Sequence, residues 1–261
     1  MNFFSKLTVI IFLSMSFYSL YTAPLCISLG NSCAGALNLR NLGIRHVAFP
    51  FDWIVSPFEA IYNVLNDDFR YFLDDLRPRP DQGGLIDHYG FHFTHDWPNN
   101  HSPQVQIYNE DLLPNGTIFG SWKDAIPAVK QKYQRRIDRF RHACTSGEKI
   151  FFIRFEEYDL ERHKELATLL RDVIELRYPK ANFELLLFST NPKNSTPWNM
   201  TRVKNFYVPD WNNPGLWAAT LRQVGPEFRN IKISKNNMQS FAEQGFSKLD
   251  GEIVFCIPES D

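Results

Sequence analysis

The chain has 261 residues, with 28 Lys and Arg against 29 Asp and Glu and a formal charge of −1. That balance excludes the basic footprint of a nucleic-acid-binding protein and a polybasic membrane patch. Aromatic residues make up 15% of the chain, which suits a large core and a stacking surface for an organic ligand.

The N-terminal segment "MNFFSKLTVIIFLSMSFYSLYTA" places a lysine before an apolar run, and residues 1–23 read as a secretory signal peptide. The run from Leu7 to Tyr21 is shorter than the roughly 20 residues that a membrane span needs. Membrane attachment is therefore expected only if this segment persists as an uncleaved anchor, and the expected location is secreted, periplasmic or the lumen of a secretory pathway. No Gly/Ser linker or repeat divides the remainder, so residues 24–261 are expected to form a single domain. Four cysteines, Cys26, Cys33, Cys144 and Cys256, are few for an exported protein that depends on disulfides. Three N-x-S/T sequons at Asn115, Asn194 and Asn199 are glycan acceptors if that pathway is eukaryotic.

"LCISLG" is an apolar run ending in glycine, and "CAGALNLRNLG" then spaces Ala34, Leu37 and Ile44 at helical period. The unit reads as strand, tight turn and helix, with Cys33 where the helix begins. "RHVAFPFDWI" reads as extended, because proline holds Phe49 out of the helical region; "SPFEAIYNVLNDDF" opens a helix with Ser56 as N-cap and Pro57 in its first turn. From Arg77 to Gly120 the chain is polar and proline-rich, a long irregular excursion containing only the strand-like "HYGFHFTHD". The second half alternates: helix "IPAVKQKYQRRIDRFRHAC", strand "KIFFIRFE", helix "LERHKELATLLRDVIELRYP", strand "NFELLLFST", strand "NFYVPDW" and helix "GLWAATLRQVG".

Apolar strands alternating with amphipathic helices predict an α/β fold, a mostly parallel sheet covered by helices on both faces. Ligands of such sheets sit beyond the carboxyl ends of the strands. That places Asn31 to Cys33, Asp52, Arg154, Glu156, Asp210 and Trp211 at the candidate site.

A thiol at the first turn of a helix sits among unpaired N–H groups that favour its anion, so Cys33 is a sensible nucleophile. It equally fits a packed corner beside Gly30, Ala34 and Gly35, because cysteine is among the most buried residue types. A thiolate needs a base, and His88, His92 and His95 lie in one short segment. His95 is preferred because it ends the strand beside the turn-forming "DWPNN". The three histidines lack cysteine or acidic neighbours at zinc spacing, and no metal or cofactor is expected. For the group that orients the imidazole, Asp96 serves only if the chain turns there; Asp52 and Asp210, each followed by tryptophan, are alternatives. Asp52 equally reads as a helix cap. Arg135 and Arg139, four apart on a helix, read as an anion site or as a solvated face.

The combination of "SLGNSCAGALNLRNLGIRHVAFPFDWIVSPFEAIYNVLNDDF", "YGFHFTHD", "YQRRIDRF" and "KIFFIR" resembles a family of uncharacterised papain-like cysteine peptidases. The resemblance implies Cys33 as nucleophile, His95 as its partner and Asp96 as the nearest candidate for the third residue. It also implies a papain-like α+β fold with an antiparallel sheet, the alternative to the parallel one.

The leading expectation is thus an exported cysteine hydrolase acting on a peptide or other acyl bond. A second is an α/β transferase or esterase-like protein acting on glycans or nucleotides through Asn31, Asp52, Arg154 and Asp210, with a merely packed cysteine. A third is a secreted binding protein without catalysis.

Overall fold

The computed structural model describes residues 24–79, 84–97, 105–109, 113–119, 121–156 and 162–231. The expected signal peptide and Cys256 lie outside the described residues. Four strands, β1 (Leu25–Ser28), β7 (Lys149–Glu156), β8 (Asn182–Ser189) and β9 (Val203–Tyr207), form one sheet in the order β1-β7-β8-β9. Every pairing in it is parallel. The alternation of apolar strands and helices is therefore what the chain folds into, rather than an antiparallel sheet.

Helices α1 (Ala34–Asn41), α2 (Phe58–Asn66), α3 (Trp122–Thr145), α4 (His163–Arg177) and α5 (Pro214–Val224) complete the domain. The central strand β7 shows how the layers arise, since alternate side chains of a strand face opposite sides. Ile150 and Phe152 join a core with α2, α3 and α4. Phe151, Ile153 and Phe155 join a second core with α1 and α5. A strand buried on both faces must be apolar throughout, which is why "KIFFIRFE" lacks alternation. Its two charged residues near the end, Arg154 and Glu156, are buried beside each other.

Four expectations change. Residues 45–54 contain no strand; they form turns, held partly by Asp52. Ser56 does not cap α2, whose N-cap is Pro57 without a side-chain bond; its hydroxyl is used elsewhere, as described below. The Arg77 to Gly120 excursion carries more order than its proline content suggests. Short antiparallel strands β2 (Arg77–Pro78), β3 (Leu85–Ile86) and β4 (His92–Phe93) form one sheet, and β5 (Val105–Asn109) pairs with β6 (Leu113–Phe119) as a hairpin. α3 also begins earlier than expected: Ser121 Oγ accepts from Asp124 N at 3.3 Å, and Pro127 lies inside the helix. Among the described residues no helix is long and apolar enough to cross a membrane.

The turn between β3 and β4 is built on Asp87, a fully buried carboxylate. Oδ1 accepts from Tyr89 N and Phe91 N, each at 3.0 Å, and Oδ2 from Leu73 N at 3.1 Å. Burial pushes the carboxyl up from 3.8 to about 6, against the pull of those backbone donors. The folded state thus keeps a proton that the unfolded chain releases, so Asp87 favours folding below the unfolded value and loses that contribution as pH rises through about 6. We expect the urea midpoint of Asp87→Asn to fall less than that of the wild type between about pH 4 and pH 6, by on the order of 2–3 kcal/mol in unfolding free energy. Parallel pH profiles of the two proteins would contradict this.

Candidate functional site

The site begins where β1 ends. Gly30 and Asn31 both take positive φ, 76° and 78°, a conformation that glycine adopts freely and asparagine tolerates better than most residues. Three hydroxyls hold the turn. Ser28 Oγ accepts from Gly30 N at 3.2 Å, Ser32 Oγ from Ala34 N at 3.3 Å, and Ser56 Oγ from Asn31 N at 2.8 Å. Ser56 does more than the others: its hydroxyl donates to Leu29 O at 3.3 Å and its backbone N–H to Asn31 O at 3.2 Å. A Cβ on residue 30 would overlap that hydroxyl, which explains the glycine beyond its φ.

Arg154 closes the same node from β7. Its Nη1 donates to Leu29 O at 2.8 Å, and Nε and Nη2 both meet Glu156 Oε1 at 2.6 Å. The guanidinium also lies over the Phe58 ring at 4.9 Å. A buried pair of this kind is costly to form and far more costly to break by removing one member.

This turn delivers Cys33 to the N-cap of α1, with φ −68° and ψ −11°, its carbonyl accepting from Leu37 N at 2.9 Å. The residue is 8% exposed. Cys26, Cys33 and Cys144 are all outside disulfides.

The histidine-bearing segment is attached to the residues just before Ser56. Val55 and His92 exchange backbone hydrogen bonds, Val55 N to His92 O at 3.1 Å and His92 N to Val55 O at 2.9 Å. His95, in the turn after β4, packs against Trp53, with ring centroids 5.9 Å apart and planes at 66°. Over the same indole lie the guanidinium groups of Arg40, from the last turn of α1, at 5.2 Å and Arg45 at 5.1 Å. The Cys33 turn and the His95 segment therefore hang on one stretch, residues 53–56.

Both neighbouring aspartates are buried and engaged. Asp52 Oδ2 accepts from Arg45 Nε at 2.8 Å and Phe49 N at 2.9 Å. Burial pushes its carboxyl up, with Arg45, the Phe49 N–H and Arg136 pulling the other way. Burial would also raise Asp96, but Lys132, Tyr133 and Arg136 outweigh it and hold this carboxyl below its usual value. Asp96 Oδ1 pairs with Lys132 Nζ, and Oδ2 accepts from Tyr133 OH at 2.7 Å. The chain does turn at Asp96, as its candidacy requires, and the carboxylate faces α3. Asp210 is exposed in the loop after β9, its Oδ1 accepting from Asn212 N at 2.9 Å.

The arginine helix is not a solvated face. Arg136 is buried, and its charge acts on both Asp52 and Asp96; Arg135 and Arg139 are half-buried. Ser56 was read only as a cap, and nothing in its local sequence reveals a partner 25 residues earlier. His163 was also missed: it is buried at the start of α4, its Nδ1 3.3 Å from the Asn194 carboxamide. Its spacing from Leu166 and Leu170, three and seven residues on, is the signal that marks an inward position. Asn194 is buried, and its main-chain carbonyl accepts from Asn205 Nδ2 at 2.8 Å. Among the described residues no three His, Cys, Asp or Glu side chains are grouped to hold a metal.

Residues 25–191 match a family described as "Putative papain-like cysteine peptidase (DUF1796)", and the chain belongs to that family. An uncharacterised protein of Acanthamoeba polyphaga mimivirus is 27% identical over 190 residues, covering 66% of this chain and 80% of its own length. No solved structure matches the chain.

Ser56→Ala leaves the Asn31 N–H without its acceptor and is expected to cost about 1–3 kcal/mol. Gly30→Ala is expected to cost more than about 2 kcal/mol through overlap and positive φ. Because the overlap is with the Ser56 hydroxyl, the double variant should cost less than the two singles together, by roughly 0.5–3 kcal/mol. Additive losses in urea denaturation would show that the two residues do not share this contact.

Proposed function

We propose that the protein is an exported thiol hydrolase that cleaves a peptide or related acyl bond with Cys33 as nucleophile and His95 as its base. In this reading His95 takes the Cys33 proton as sulfur attacks the substrate carbonyl. The carbon–nitrogen or carbon–oxygen bond then breaks, and the imidazolium gives its proton to the leaving group. Water, deprotonated by His95, attacks the thioester and releases the acid and the free thiol. Backbone N–H groups at Ser32 and Cys33 are the donors proposed to hold the oxyanion.

The observation that carries this reading is the shared anchor at residues 53–56, which fixes the Cys33 turn through Ser56 and the His95 segment through Val55 and Trp53. Membership of a family described as cysteine peptidases supports the same nucleophile class. Asp96 enters as a positioning residue that fastens the turn carrying His95 to α3, and Asp52 likewise fastens the residues before Trp53. Export rests on the N-terminal sequence pattern alone, and the mature chain is proposed to begin near Pro24.

The remaining thiols provide internal controls, since a thiolate is the reactive form. Burial pushes Cys144 up to about 12 and Cys26 higher still. In the folded protein at neutral pH, iodoacetamide is expected to modify Cys33 and spare both of these, as read by peptide mass spectrometry. Cys33→Ala is expected to abolish new termini in a mixed peptide library digested by the wild type. Cleavage that survives in Cys33→Ala, or a Cys33 no more reactive than Cys144, would end this reading.

A further inference from the structure

We propose that the loop of residues 209–213, between β9 and α5, walls one side of the approach to Cys33, and that Asn38 is the positioning residue that holds it there. This rests on the hydrolase reading for its functional meaning, and on separate observations for its geometry. Asn38 lies on α1, five residues after Cys33, and is fully buried in the layer where α1 and α5 pack on the sheet. Its Nδ2 donates twice, to Ala34 O at 2.9 Å and to Trp211 O at 2.9 Å. One amide nitrogen therefore ties the carbonyl of the residue that follows Cys33 to the carbonyl of Trp211, from the far end of the sheet order.

Two further contacts fix the loop at its other side. Trp217 Nε1 donates to the same Trp211 carbonyl at 3.1 Å. Asn213 Oδ1 caps α5 by accepting from Gly215 N at 2.9 Å and Leu216 N at 3.3 Å. The Trp211 ring lies 6.3 Å from Phe155, near the carboxyl end of the central strand.

A leucine at position 38 would suit the surrounding apolar core better than an amide. Asn38 Oδ1 is buried without a hydrogen bond, a cost that native cores rarely carry without reason. The two bonds made by Nδ2 supply that reason. Cys33 is only 8% exposed although it sits at a helix N-terminus beyond a strand's carboxyl end, as a wall on this side requires. The loop lies beyond residues 25–191, the segment matched by the family model, so the wall on this side belongs to the chain's own C-terminal portion.

The test compares thiol reagents of two sizes, iodoacetamide and N-phenylmaleimide, on Cys33 in wild type, Asn38→Leu and Asn213→Ala. Loosening the loop should raise the bulky-to-small rate ratio by roughly two- to tenfold, the range that losing one hydrogen bond makes in an open-to-closed ratio. Cys26 and Cys144 should stay unmodified in every protein. An unchanged ratio, or a rise accompanied by labelling of Cys26 and Cys144, would overturn the proposal by showing no effect or general loosening. Should Asn38→Leu not fold, Asn213→Ala, altered at an exposed cap, decides the question. If Cys33 is inert to both reagents, the hydrolase reading falls. Amide exchange then decides the wall by itself: faster exchange confined to residues 34–37 and 209–213 supports it, and unchanged exchange overturns it.

Discussion

One hydroxyl organises the candidate site. Ser56 Oγ meets Asn31 N and Leu29 O, and its backbone N–H meets Asn31 O, so a two-residue excursion through positive φ at Gly30 and Asn31 becomes a fixed corner. The corner is needed because β1 is only four residues long, too short to aim the following helix without help. Arg154, paired with Glu156, adds charge to this node, its Nη1 reaching Leu29 O from the neighbouring strand. Sheet, turn and α2 thereby become one rigid support, and Cys33 inherits its orientation from that support rather than from a cap of its own.

A second layer of constraint is electrostatic. Arg45 with Asp52, and Lys132 with Asp96, are buried pairs, and Arg136 influences both carboxylates. Burying ions costs free energy that their attraction recovers only with good geometry, so such pairs are poor stabilisers and good locators. Here they locate the turns on either side of Trp53 and His95. The carboxylates respond in opposite directions: burial dominates at Asp52, and the three partners dominate at Asp96. Asp96 therefore remains anionic over a wider acid range, which suits a group that bolts a histidine-bearing turn to a helix.

Much of the fold was legible because the sheet interior leaves little choice. "KIFFIRFE" and "NFELLLFST" contain no polar alternation, and only strands covered on both faces tolerate that. The glycine turn before Cys33 was legible for a similar reason, since few residues accept positive φ. The strand expected across residues 45–54 failed because proline and β-propensity constrain φ without supplying a partner strand, whereas Asp52 offered the backbone a local turn instead. The hairpin of β5 and β6 was obscured by its surrounding prolines and asparagines, which read as loop until the pairing is known. Ser56 looked like a cap because caps are local, and its real partner comes from a turn 25 residues earlier. Long-range hydrogen bonds of this kind leave no period or spacing in a sequence.

The proposed hydrolase requires residues 53–56 to present Cys33 and His95 to one another as a coupled pair. The direct measurement is the titration of the Cys33 thiolate by its ultraviolet absorbance, taken against Cys33→Ser, in wild type and in His95→Gln. Coupling lowers the thiol's apparent pKa below its ordinary value of about 8.5 in the wild type and raises it when the imidazole is removed. Superimposable curves for the two proteins would contradict the account.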